Sequence, residues 1–73
     1  MKNPRSYKAS LSRLAKEMVL DEIENPKNYY KALVYLSSAM HIGSIVFGKT
    51  AMAANEDFNA AAKKWRKKLG VIS

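Results

Sequence analysis

The chain has 73 residues, no cysteine and a formal net charge of +7. This length allows one domain with a modest core, and the lack of cysteine excludes disulfide bonds and thiolate metal sites. The positive charge predicts an acidic partner, which can be nucleic acid, an anionic membrane or an acidic protein surface.

Residues 1–9 show no hydrophobic periodicity and contain Pro4 and three basic side chains. We expect a flexible basic arm and not a signal peptide, because no apolar run follows it. The arm either frays at the terminus or docks on a phosphate or an acidic partner. No apolar stretch in the sequence is long enough to span a bilayer.

The first predicted helix spans about 10–24, with Ser10 or Ser12 as its cap. Two apolar rows at helical spacing predict a broad core face, and they consist of Leu11, Leu14 and Met18 and of Ala15, Val19 and Ile23. Three carboxylates share one face near the helix end, those of Glu17, Asp21 and Glu24. They either face the positive start of the next helix or form an acidic patch for a basic partner peptide.

The second predicted helix spans about 26–42, with Asn25 as its cap, Pro26 at its first position and Gly43 as its stop. Apolar residues cover most of its circumference, namely Tyr29, Tyr30, Leu33, Val34, Leu36, Met40 and Ile42. We therefore expect this helix to be central, with another helix packed on each side. The single histidine, His41, favours a structural or solvent-facing role over a catalytic or metal-binding one.

Residues 43–50 match the phosphate-loop pattern, since they read GSIVFGKT. That motif requires a buried strand before it, whereas a helix is predicted here. Its bulky centre, Ile45 to Phe47, also disfavours the backbone conformation that cradles phosphates. We expect a hydrophobic connection whose apolar side chains plug the bundle.

The third predicted helix spans about 49–69 and starts near Gly48 or restarts at Asn55. Gly70 ends it, and Val71 is expected to fold back on the last turn. Three alanines, 60–62, would permit close approach to the central helix. Trp65 is expected to anchor the core and not to stack on a base. Together these elements predict an all-α, single-domain three-helix bundle over residues 10–73.

No combination of side chains in the sequence predicts an active site, a cofactor site or a small-molecule substrate. We therefore expect a non-enzymatic binding protein without a metal site. A protein partner would use the acidic face of helix one, the end of helix three and the apolar tail. The candidate protein-binding residues are Glu17, Met18, Asp21, Trp65, Arg66, Val71 and Ile72.

The alternative partner is nucleic acid, contacted by the basic run near the C-terminus. Its candidate residues are Lys63, Lys64, Arg66, Lys67 and Lys68. Ala39 and Gly43 have the separation found in a helix-turn-helix, but Lys49 occupies the position of its second apolar anchor. Membrane binding is the weakest hypothesis, because the apolar face of the last helix is largely alanine.

As a whole, the chain resembles the small bacteriophage transcription regulators that bind host bacterial RNA polymerase. The resemblance rests on its length, its lack of cysteine and its basic ending, from MKNPRSYKAS to WRKKLGVIS. It implies contact with the extreme N-terminus of the largest polymerase subunit, in the host bacterial cytoplasm. It also implies inhibition of transcription initiation, by interference with the sigma–core arrangement, and antitermination on phage genes. Met18, with Glu17 and Asp21, could offer an apolar groove with an acidic rim to a basic peptide.

Overall fold

The computed structural model describes residues 6–71, and within this range the chain forms three α-helices. They are α1 (Tyr7–Glu24), α2 (Tyr29–His41) and α3 (Ala51–Lys68). A five-residue π-helical turn, Ile42–Val46, continues α2 before the chain reaches α3. The all-α three-helix bundle predicted from the sequence is confirmed.

The start of α1 lies earlier than the sequence predicted. Ser6 caps the helix, because its Oγ accepts a hydrogen bond from the Ala9 N–H at 3.1 Å. Ser10, one of the two predicted caps, lies inside the helix. Residues 6–9 were predicted to belong to a flexible arm and are instead part of the fold, while residues 1–5 lie outside the described range.

Both ends of α3 are fixed by local hydrogen bonds. Thr50 caps its start, where Oγ1 accepts from the Ala53 N–H at 3.0 Å, so the predicted alternative start at Asn55 is wrong. At its end Gly70 has a φ of +80°, and the Val71 N–H donates to the Arg66 carbonyl at 2.7 Å. The glycine stop and the folding back of Val71 are therefore confirmed.

The core lies mainly between α1 and α3. These helices run in the same direction, since Tyr7 meets Asp57 nearer their starts and Glu22 meets Arg66 nearer their ends. Their interface is the most extensive in the bundle. The buried core cluster consists of Leu11, Ala15, Met18, Val19, Ala39, Phe58 and Ala62.

The prediction that α2 is the central helix is wrong. Ala39 is its one buried residue, whereas Tyr29 is 77% exposed and Leu33 is 62% exposed. Small residues of α1 and α3, such as Ala15 and Ala62, let those two helices bury their large side chains against each other. One side of α2 is then enough to cover the bundle, and its opposite side has no neighbour within the described residues.

The segment that matches the phosphate-loop pattern forms a π-helical turn followed by a bend toward α3. The Lys49 N–H donates to the Gly43 carbonyl at 2.9 Å, and none of residues 6–71 forms a strand. The prediction that Ile45 and Val46 plug the bundle is wrong, because both are exposed. Phe47 does pack inward, with its ring centroid 5.3 Å from that of Tyr7.

Candidate protein-binding surfaces

The outward side of α2 carries a continuous apolar stripe, which we call the α2 outer face. Successive helical residues are about 100° apart, so residues i, i+1, i+4 and i+5 share one side of a helix. This side is opposite the buried Ala39. The α2 outer face consists of Tyr29, Tyr30, Leu33 and Val34, which are 77%, 74%, 62% and 46% exposed.

The sequence identified these four residues as apolar but assigned them to the core. Hydrophobic periodicity shows which sides of a helix are apolar, but it does not show which of those sides meets another helix. The breadth of the apolar stripe was the feature of the sequence that indicated an exposed apolar side, because α2 has more apolar surface than a three-helix bundle needs to cover. A second exposed apolar group lies beyond the other end of α2 and consists of Ile45, Val46 and Met52.

The predicted acidic-rimmed groove around Met18 is not formed. Met18 is only 5% exposed and belongs to the core, because it lies on the same side of α1 as Leu11 and Ala15. The Asp21 carboxylate lies 3.7 Å from Lys31 Nζ of α2, while Glu17 is exposed on the surface. The structure therefore does not bring these predicted site residues together into a pocket.

Trp65 packs against the core, as the sequence predicted, and its ring is held in one orientation. Its indole Nε1–H donates to Ser12 Oγ at 3.0 Å. Two ammonium groups lie over the ring, Lys16 at 5.1 Å and Lys68 at 5.0 Å from the ring centroid. These cation–π contacts occupy the ring surface that a stacked base would need.

Arg66 appears in both predicted binding sets, but the fold uses its guanidinium. Nε and one terminal nitrogen donate to the two carboxylate oxygens of Glu22, at 3.1 Å and 2.8 Å. These hydrogen bonds raise the pKa of Arg66 above its ordinary value. The ion pair joins α3 to α1, so Arg66 contributes to the bundle and not to an open binding surface.

The remaining predicted site residues differ in their exposure. Val71 is half-buried and packs against the core, and Ile72 lies outside the described residues. The lysines of the basic run, Lys63, Lys64, Lys67 and Lys68, are all exposed and share one side of α3. Lys49 precedes α3 and is not part of it, and residues 42–50 separate α2 from α3. The arrangement therefore departs from that of a helix-turn-helix, whose two helices are joined by a short turn.

A groove of about 550 Å³ lies between α1 and α3, and it was not predicted from the sequence. Its lining is partly apolar and carries three lysines and one aspartate: Lys8, Leu11, Ser12, Asp57, Ala60, Ala61, Lys64, Trp65 and Lys68. We call it the α1–α3 groove. The three small side chains at 60–62 were the feature of the sequence that indicated open space on this side of α3. Only Ala62 of these is buried, whereas Ala60 and Ala61 leave open space beside Trp65.

Within residues 6–71, no three histidine, aspartate or glutamate side chains lie close enough together to hold a metal ion. None of the helices in this range combines the length and the apolar character needed to cross a bilayer. No protein-family model, curated protein sequence or solved structure matches the chain.

Proposed function

We propose that the protein is a non-enzymatic regulator that docks on bacterial RNA polymerase through the α2 outer face. The observation that carries this proposal is the exposure of four large apolar side chains on consecutive turns of α2. Contiguous apolar surface of this kind marks interaction sites on small proteins, because leaving it in water costs free energy.

The chemistry of the α2 outer face suits a protein partner. Fully burying one large apolar side chain contributes about 1.5–3 kcal/mol, so four of them supply a substantial part of a binding free energy. Tyrosine is enriched among the residues that dominate protein interfaces, and Tyr29 and Tyr30 present both a ring and a hydroxyl. Lys31 lies within the stripe, but its ammonium pairs with Asp21 of α1 at 3.7 Å, so the apolar side chains and not charge supply the proposed contact.

The choice of RNA polymerase as the partner rests on the resemblance to small phage regulators. On that basis, the extreme N-terminus of the largest polymerase subunit is the proposed contact. The proposed effects are inhibition of transcription initiation and promotion of antitermination, in the host bacterial cytoplasm. The proposed contact site is the α2 outer face and not the region of Met18, because Met18 is buried.

Direct DNA binding has less support as the primary function. Arg66 is paired with Glu22, and Trp65 is covered by Lys16 and Lys68. Exposed lysines alone give binding that depends on salt and carries little sequence information.

The proposal is tested by affinity measurements with purified bacterial RNA polymerase. We expect the double variant Tyr30→Ala/Leu33→Ala to bind at least about tenfold more weakly, because central apolar contacts dominate interfaces. The matched control is Met52→Ala, which also removes an exposed large apolar side chain but lies at the start of α3. Circular dichroism would verify that both variants keep the helical fold.

Two results would reject the proposal. One is polymerase binding by Tyr30→Ala/Leu33→Ala with the affinity of the unmodified chain. The other is recovery of polymerase from a bacterial lysate only while nucleic acid is present, with complete loss after nuclease treatment.

A further inference from the structure

The α1–α3 groove combines an apolar floor with a basic rim. Leu11, Ala60, Ala61 and Trp65 form most of the floor. The rim carries the ammonium groups of Lys8, Lys64 and Lys68. The single carboxylate among the lining residues, that of Asp57, accepts a hydrogen bond from the Tyr7 hydroxyl at 2.7 Å.

We propose that the α1–α3 groove is a second docking site, which takes an acidic amphipathic helix of a partner protein with a bulky apolar side chain on the floor. This groove is formed by α1 and α3 and shares no residue with the α2 outer face. The proposal therefore does not depend on the proposed contact with polymerase.

The spacing of the rim lysines matches that of carboxylates on a helix. Lys64 and Lys68 are four residues apart on α3, which corresponds to about 6 Å along the helix axis. Two glutamates four positions apart on a partner helix have the same spacing. A helix that lies along the groove can therefore pair both carboxylates while its apolar side enters the space above Ala60 and Ala61.

The floor favours a protein segment over a nucleic acid. Apolar surface beside Ala60 and Ala61 gains nothing from a phosphate backbone, whereas a leucine or phenylalanine side chain would bury it. Trp65 is also unsuited to base stacking in this state, because Lys16 and Lys68 lie over its ring. A docked carboxylate can instead pair with the ammonium group of Lys68, which lines the groove, while the indole stays in place.

The test is a titration of the full chain with a synthetic helical peptide of about 12 residues, which matches the ~16 Å of α3 between residues 57 and 68. The peptide carries two leucines four positions apart, with glutamates beside them. Because the chain has one tryptophan, the fluorescence and the indole N–H signal of Trp65 report directly on the groove. We expect saturable binding that moves the Trp65 signal, and a peptide with serine in place of leucine should bind at least about tenfold more weakly.

A charge-reversal pair locates the site, and the same helix offers a matched control. We expect Lys64→Glu/Lys68→Glu to weaken peptide binding by at least about tenfold. The control Lys63→Glu/Lys67→Glu makes the same change in net charge outside the groove lining, and we expect a loss below about threefold. Tyr30→Ala/Leu33→Ala should bind the peptide like the unmodified chain.

Four outcomes would overturn the assignment. Equal losses for the two lysine pairs would indicate a general electrostatic attraction, and an unchanged affinity for the serine peptide would show that the floor takes no part. Tighter binding of a DNA duplex, in competition with the peptide, would assign the surface to nucleic acid. Self-association that Lys64→Glu/Lys68→Glu abolishes would make a second copy of the chain the occupant.

Discussion

Tyr7 joins three segments of the bundle. Its hydroxyl donates to Asp57 of α3 at 2.7 Å, and its ring packs edge-on against Phe47, with the ring centroids 5.3 Å apart. Lys49 Nζ lies 4.9 Å from the centre of the same ring. Burial, followed by the hydrogen bond and the charge of Asp57, raises the pKa of Tyr7 to about 12. Tyr7 thus ties the start of α1 to α3 and to the connection before it.

The raised pKa of Tyr7 predicts a loss of stability in alkaline solution. The ordinary pKa of a tyrosine is 10.0, so the stabilisation from the neutral phenol is complete below that pH and is lost as the pH rises through about 12. We expect the free energy of unfolding to fall more steeply over this interval in the unmodified chain than in Tyr7→Phe. Near neutral pH, Tyr7→Phe should itself cost about 1 kcal/mol. Urea unfolding across this pH range measures both effects, and identical pH profiles for the two proteins would contradict the assignment.

The long-range contacts of Tyr7 could not be predicted from the sequence. The sequence placed Tyr7 in a flexible arm, because residues 1–9 show no hydrophobic periodicity and because the partner Asp57 is far away in the chain. Arg66 and Glu22 are likewise 44 positions apart. Their pairing depends on how α1 and α3 are arranged, which periodicity does not reveal. By contrast, Gly70 and Val71 were predicted correctly, since the helix stop depends only on neighbouring residues.

Among the contacts between elements, the π-helical turn after α2 packs tightly on α3 where Gly43 faces Ala54. A Cβ added to Gly43 would lie 2.6 Å from the Ala54 Cβ, and both residues are buried. This separation is too short for two carbon atoms, and an alanine side chain has no flexible end that could move aside. The glycine that the sequence identified as a helix stop therefore serves mainly as a packing residue.

We expect Gly43→Ala to destabilise the bundle by about 1–3 kcal/mol, because the added methyl group overpacks this contact. Ala54→Gly makes room for that methyl group, so the double variant Gly43→Ala/Ala54→Gly should be more stable than the sum of the single changes predicts. Gly43→Ala/Ala53→Gly is the matched control, since Ala53 lies beside Ala54 in α3, and its two effects should add. Thermal or urea unfolding measures all the variants. Additive effects in the first pair would show that the contact is looser than the structure indicates.

The elements themselves were largely predictable, and their arrangement was not. Three helices followed from apolar spacing, but the predicted start of the second was wrong. Asn25 caps the end of α1, Pro26 lies in a turn, and α2 begins at Tyr29 after Asn28. The prediction of which helix is central failed, because α2 is the most apolar helix yet lies at the edge of the core. Small residues decided the outcome, since Ala15 and Ala62 let α1 and α3 approach each other directly. The two candidate surfaces follow from that arrangement, and neither the α2 outer face nor the α1–α3 groove was predicted as a site.

The three helices contribute unequally to the core of the bundle. The large buried side chains, Phe58, Leu11 and Val19, belong to α1 and α3, whereas α2 adds the small Ala39 to the buried cluster. Its other contacts come from partly buried residues such as Tyr35 and Leu36, with one ion pair from Lys31 to Asp21. The contacts of α2 with the other two helices therefore contribute less stabilising free energy than the interface between α1 and α3.

This inequality predicts the order of local opening in hydrogen exchange. We expect the backbone amides of α2 to exchange faster than those in the middle of α1 and α3, because α2 can open while the α1–α3 interface stays intact. Native-state exchange followed by NMR, residue by residue, measures the difference. Equal protection in all three helices would instead show that the bundle opens only as one cooperative unit. A ligand bound to the α2 outer face should slow exchange in α2.

The pairing of Arg66 with Glu22 also bears on experiments with excised peptides. A free hexapeptide, KKWRKK, has a guanidinium with no carboxylate beside it and an indole that solvent reaches on both sides. Such a fragment is a generic polycation that would adhere to any polyanion. In the intact protein, Arg66 instead pairs with Glu22 of α1, and the Trp65 indole donates a hydrogen bond to Ser12. The four lysines of the same segment are exposed on the surface. Binding data from the fragment would therefore describe a different molecule, and truncation mapping of this protein should keep α1 and α3 together.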